Sequence, residues 1–194
     1  MRPGWIRFRW PTWSAAEAAS LKFRIGGGNI NELSKLMGFN TTLKPAPDSF
    51  ELLSTGVMDG TFFPDESIAS FKLNMIKHAT TFPGGLYNTS FVFMMNPAKY
   101  NALAPQDKAV VDKLSGEVAA RMFGEGWDKV DAASREVQKA QGVARIMANP
   151  AFVKAVADKQ DYLETKWAAS AQVKGLKDPK QVLAEFRAEI AKVK

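Results

Sequence analysis

Arg24 is the side chain best placed to do chemistry in this sequence. It lies in Leu21-Lys22-Phe23-Arg24-Ile25, a short alternating run that reads as a strand, and Gly26-Gly27-Gly28-Asn29 follows at once. A helical pattern begins after Asn29. A guanidinium at a strand end presents a planar fork of donors that matches the two oxygens of a carboxylate. The start of a helix adds unpaired N–H groups and partial positive charge. Read from these residues alone, Arg24 is either a carboxylate ligand or a surface strand residue with a solvated charge. Around it, Phe62, Phe63 and Tyr87 are candidate apolar walls, and Glu66 and Asn88 are candidate hydrogen-bonding groups. Small-molecule sites combine such walls with a few polar anchors. Each aromatic has core packing as its alternative role.

Other chemistry is poorly supplied. There are no cysteines, which removes thiol catalysis, disulfides and cysteine-bound metals. His78 is the single histidine, so multi-histidine metal sites are excluded as well. No G-x-S-x-G elbow accompanies it, and it reads as a helix-end or partly buried residue. The triple glycine lacks the lysine and spacing of a phosphate loop and the spacing of a dinucleotide fingerprint. Carboxylates are plentiful, but the sequence places no two of them together. The favoured reading is a binding pocket around Arg24 without metal or cofactor, and the lesser alternative is an enzyme using carboxylates.

The 194 residues are 46% hydrophobic, enough for a sizeable core. The net charge of +6 is spread along helices and interleaved with acids, as in Asp107-Lys108 and Asp112-Lys113. A nucleic-acid partner would need the cations gathered on one face, so none is expected. No run reaches the ~18 apolar residues of a membrane span. Met1 to Trp13 holds Arg2, Arg7, Arg9, three of the five tryptophans and two prolines, without the apolar stretch of a secretory signal. It reads as a poorly ordered leader, or as a segment whose tryptophans dock on an apolar surface.

The elements that must position Arg24 alternate. The strand at 21–25 leads into a helix from Asn29 to about Met37, with Asn29 as N-cap, Glu32 at the capping-box position and Gly38 closing it. Thr41 to Lys44 reads as a strand, Asp48 to Thr55 as a short helix, and 57–64 as a turn and strand. This spacing predicts parallel pairing, with ligands outside the carboxyl ends of the strands. Asp65 should cap the next helix. Tyr87 to Asn96 reads as one long strand. From Pro105 to Gln141, a helical stripe runs through Val111, Leu114, Val118, Met122, Trp127, Val130 and Val137, with a break expected near Gly124. Unbroken, it would span on the order of 50 Å. Val143 to Met147 reads as a strand. Helices from Pro150 and from Pro179 complete the chain.

The run L-K-F-R-I, then K-P-A-P-D-S-F-E-L-L-S-T-G-V-M-D-G, then Y-N-T-S-F-V-F-M-M-N and A-P-Q-D-K-A-V-V-D-K-L resembles the periplasmic substrate-binding proteins of TRAP transporters, the DctP family. The resemblance extends from about Leu21 to the C-terminus. It implies an α/β, periplasmic-binding-protein-like (type II) lobe with a mixed sheet, a long lobe-spanning helix and a helical C-terminus. It also implies that Arg24 pairs with a substrate carboxylate. Where well-known members carry an Asn before the strand-end proline, this sequence has Phe63, and a Phe common after the second strand falls near Ala46. Those departures favour an organic acid with an apolar portion. The implied substrate-binding residues are Arg24, Phe63, Glu66, Tyr87 and Asn88. The implied organisation is an atypical leader at 1–20, a substrate-binding lobe at 21–85, a strand and long helix at 86–147 that belong to or bridge toward a partly missing first lobe, and C-terminal helices at 148–194. The implied function is delivery of a small carboxylate to TRAP membrane permease subunits from the periplasm, although no signal peptide is seen. The alternative is a truncated remnant without autonomous ligand binding.

Overall fold

The computed structural model describes residues 3–8 and 14–192. Among these, seven strands form one mixed sheet: β1 (Pro3–Phe8), β2 (Lys22–Ile25), β3 (Asn40–Leu43), β4 (Gly60–Phe63), β5 (His78–Thr81), β6 (Tyr87–Asn88) and β7 (Ala144–Met147). The order is β3-β2-β4-β1-β5-β7, with β6 pairing β1. β2 runs parallel to β3 and β4, and β5 runs parallel to β7. β1 is antiparallel to both of its neighbours in the centre.

Two helices decide where the sheet opens. α2 (Asn29–Leu36) crosses from β2 to β3, and its Ile30 and Leu33 pack with Phe23, Ile25 and Phe62. α3 (Ser49–Ser54) crosses from β3 to β4, and its Leu53 packs with Phe63 on the other face. In open α/β sheets, crossovers on opposite faces are the arrangement that puts ligand sites at the carboxyl ends of the strands. Both faces are covered, so β4 is buried at every position rather than at alternate ones.

The first core is aromatic. Phe23, Phe39 and Phe62 meet edge to face or tilted, with centroids 5.2–6.5 Å apart. Phe152 of α8 (Pro150–Val173) joins them, 6.0 Å from Phe39 and 5.0 Å from Phe82. The second core gathers Leu53, Met58, Phe63, Ile68, Leu73, Ile76, Ala79 and Val143. The remaining helices are α1 (Ala15–Ala19), α4 (Glu66–Ser70), α5 (Pro97–Asn101), α6 (Pro105–Leu114), α7 (Glu117–Ala140) and α9 (Pro179–Lys192). No helix among the described residues is long and apolar enough to cross a membrane.

Several expectations are corrected. Residues 3–8, read as part of a leader, form a strand between β4 and β5, with residue 6 in register with Phe62 on one side and Thr80 on the other. Without it the facing edges of two buried strands would lack backbone partners. Residues 9–13 lie outside the described residues. The strand expected over 87–96 is limited to Tyr87–Asn88, and Phe91 to Met95 stand exposed with no ladder partner among the described residues. The helical break falls at Ser115-Gly116, where Gly116 has φ 62°, and α7 continues through Gly124 and Gly126. Asn29 does not cap α2; Gly28 occupies that position, and Glu32 instead accepts a hydrogen bond from Lys166 of α8 at 3.0 Å. His78 opens β5, a strand absent from the sequence reading.

Phe152 is buried and touches rings from two distant parts of the chain, Phe39 and Phe82. Phe152→Ala should therefore destabilise the fold by about 3–5 kcal/mol, measured by urea denaturation.

Candidate functional site

Alternation along β2 sends Phe23 and Ile25 into the aromatic core and Arg24 to the opposite face. Arg24 is only 4% exposed. Its Nε–H donates to the carbonyl of Lys44, just past the end of β3, at 2.9 Å. Its Cζ lies 4.5 Å from the centroid of the Phe63 ring at the end of β4. The guanidinium thus spans the carboxyl ends of three adjacent parallel strands. Its two terminal nitrogens carry no hydrogen bond, and it makes no ion pair, among the described residues. Burial pushes its pKa down from the usual arginine value, while Tyr87 and Asp48 nearby oppose that shift.

Phe63 is itself fixed. Its ring stacks on Phe71 at 5.4 Å with an interplanar angle of 16°. Two residues on, Asp65 is 3% exposed. The sequence pattern expected it to cap α4, yet it makes no side-chain capping bond. Its carboxylate instead accepts from Arg145 Nη1 at 2.8 Å and from Arg135 Nη1 at 3.4 Å. Its backbone carbonyl accepts from Ser134 Oγ at 2.6 Å and Gln138 Nε2 at 3.3 Å. The Glu66 N–H donates to Asp131 Oδ1 at 2.9 Å. Asp131, Ser134 and Gln138 are all buried and share one stripe of α7.

Of the residues expected at the site, Arg24 and Phe63 are in direct contact, and Tyr87 is close enough to influence the guanidinium. Tyr87 is half-buried and packs against the aromatic core. Phe62 belongs to that core on the opposite face. Glu66 turns back onto its own helix, accepting from Ser67 Oγ at 2.6 Å and Ser70 Oγ at 2.8 Å. Asn88 is exposed in β6. The Lys44 carbonyl, Phe71 and the polar stripe of α7 were not anticipated. A signal for the stripe exists in the three- and four-residue spacing of Asp131, Ser134 and Gln138. Two open surface hollows lie elsewhere: one along α7 at Glu117, Arg121 and Glu125, the other between Thr165 and Pro179.

Residues 8–170 match the family described as bacterial extracellular solute-binding protein, family 7 (DctP). A TRAP periplasmic solute-binding protein from Bordetella bronchiseptica, solved with bound (R)- and (S)-mandelate, is 38% identical with a TM-score of 0.89; the match covers 99% of this chain and 61% of that one. A marine metagenome TRAP solute-binding protein specific for aromatic acid ligands, in complex with metahydroxyphenylacetate, is 30% identical with a TM-score of 0.86, covering 98% and 61%. A TRAP solute-binding protein from Rhodoferax ferrireducens, with copurified benzoate, is 27% identical with a TM-score of 0.85, covering 98% and 60%. The outer membrane transporter protein TsaT of Comamonas testosteroni is 28% identical over 149 residues, 76% of this chain and 44% of its own length. The chain thus spans less than two thirds of the length of these relatives.

The turn that follows Arg24 needs glycine at one place. Gly28 has φ 75° and ψ −149°, a region essentially closed to other residues. A Cβ there would meet nothing within 4 Å, so the cost of adding one is conformational. Gly28→Ala should lower stability by about 1–3 kcal/mol in chemical denaturation.

Proposed function

The chain belongs to the bacterial extracellular solute-binding proteins of family 7, and we propose that it binds a small aromatic carboxylate through Arg24 for delivery to a TRAP membrane permease. The observation that carries this reading is a buried guanidinium whose terminal nitrogens have no partner among the described residues. Its Nε bond to Lys44 holds the fork in one orientation. The two remaining nitrogens then receive both oxygens of a carboxylate in the plane of the fork. The paired Phe63 and Phe71 rings supply an apolar wall beside it. Phe63 cannot donate a hydrogen bond, so the wall favours a ligand's apolar portion over a second polar head group. The aromatic acids bound by the mandelate and metahydroxyphenylacetate relatives support this choice of class.

Binding of this kind leaves the ligand chemically unchanged. The family is periplasmic, and the same location is proposed for this chain. Tyr87 is the proposed hydrogen-bonding neighbour of the acid, while Glu66 and Asn88 act at most on the rim.

A second reading has one observation behind it. Phe91 to Met95 stand exposed, and the chain spans 61% of its mandelate-binding relative. In that reading the chain carries only part of the ligand's contacts and binds no acid by itself.

Thermal melts and calorimetric titration with mandelate, benzoate and 3-hydroxybenzoate separate the two. A binder gains about 2.7 kcal/mol at a ligand concentration of 100 Kd. Arg24→Ala should weaken the tightest acid by about 10- to 100-fold, the size of one or two charge-assisted hydrogen bonds. Arg24→Lys should not restore it, because an ammonium lacks the fork. Equal affinity in Arg24→Ala and wild type would refute the clamp. No shift in melting with any acid would favour the second reading.

A further inference from the structure

Phe63 and Asp65 are joined through Pro64, whose ring fixes one of the few dihedrals between them. The peptide group that links Asp65 to Glu66 is held at both of its polar atoms. Its carbonyl accepts from Ser134 and Gln138, and its N–H donates to Asp131. All three partners come from α7. The Asp65 carboxylate is gripped separately, by Arg145 of β7 and Arg135 of α7. The helix that starts at this fixed peptide ends at Phe71, and Phe71 stacks on Phe63. Phe63 is therefore set from two directions, through its own backbone and through the ring behind it.

A carboxylate serving only to tie two elements together would need only its ion pairs. Here the Asp65 carbonyl and carboxylate and the Glu66 N–H are all directed, and the rigid proline links that fixed group to the ring facing Arg24. We propose that Asp65 is a positioning residue of the acid site: held by Arg145 and α7, it aims the Phe63 ring at the Arg24 guanidinium and so sets which acids fit. The last clause rests on the acid-binding reading; the aiming of Phe63 does not.

The test reads the free protein first. In arginine side-chain ¹H–¹⁵N spectra of the full chain, the Arg24 Nε–H signal is assigned by its loss in Arg24→Lys. Phe63→Leu gives its position without the ring current of the phenyl group. Arg145→Ala and Asp65→Asn should each move the signal most of the way to the Phe63→Leu position. Val156→Ala, a core change on the opposite face, should lower the Tm and leave the signal in place. Arg145 is partly exposed and its loss leaves Arg135 and Gln138 on Asp65, so Arg145→Ala decides the matter if Asp65→Asn fails to fold. An Arg24 signal that stays at its wild-type position in Arg145→Ala overturns the proposal, whatever happens to the Tm. In titrations, the same variants should weaken aromatic acids about tenfold, with little change for acids lacking a ring. Failure of every acid to bind the wild type would refute the function and leave the spectral result standing.

Discussion

A guanidinium removed from water without a paired carboxylate is an expensive group to bury. Arg24 meets that cost only in part. The Lys44 carbonyl satisfies Nε, and the Phe63 ring offers its negative face to the cation. Asp48 and Tyr87 favour the charge from nearby without forming an ion pair with it among the described residues. What remains is a fixed, charged fork with two unoccupied nitrogens at the carboxyl ends of β3, β2 and β4. An arginine remains protonated even when burial pushes its pKa down. The position thus keeps its charge at any ordinary pH, and the surrounding elements hold it there.

Contrast with Asp65 sharpens the point. Both residues are charged, and both are almost completely buried. Asp65 is met on every side, by two arginines, a glutamine and a serine. Breaking such a pair leaves an uncompensated charge, so this cluster fixes structure. Arg24 has a helix crossing on one face and another on the opposite face, and no carboxylate pairs with it among the described residues. The same chain can neutralise a buried charge fully when it needs an anchor. It leaves one incompletely neutralised at the strand ends, at the place proposed above for an acid.

What could be read in the sequence was local. Arg24 was legible because a strand, a run of glycines and a helix start lie within a few residues of each other. The helices at 150–173 and 179–192 announced themselves by a proline at the first turn. The illegible parts depend on residues far apart in the chain. β1 finds its partners more than fifty residues away, and β5 aligns with β7 across a gap of similar size. Asp65 precedes a helix and so reads as a cap, but two distant arginines outbid the local N–H groups for its oxygens. Glu32 loses its capping role in the same way, to Lys166. The strand pattern at 89–96 is present in the residues, yet a ladder needs a neighbour and the described residues supply none.

The long helix carries the same lesson into function. Its apolar stripe, the feature that made it visible in the sequence, is largely exposed, with Val118, Met122, Val130 and Val137 facing solvent. Its first half meets the extended 91–95 segment through Phe123 on Phe93 at 5.6 Å and Trp127 on Phe91 at 5.5 Å. Its second half docks through polar atoms at Asp131, Ser134 and Gln138. An apolar seam tolerates small rotations of a helix about its axis, because dispersion contacts are weak and non-directional. Three directed hydrogen bonds to one peptide group do not, since each fails within a few tenths of an ångström or a few tens of degrees. The rotation of α7 is thereby tied to the β4–α4 corner. Through Pro64 that corner is one short rigid step from the ring that faces Arg24.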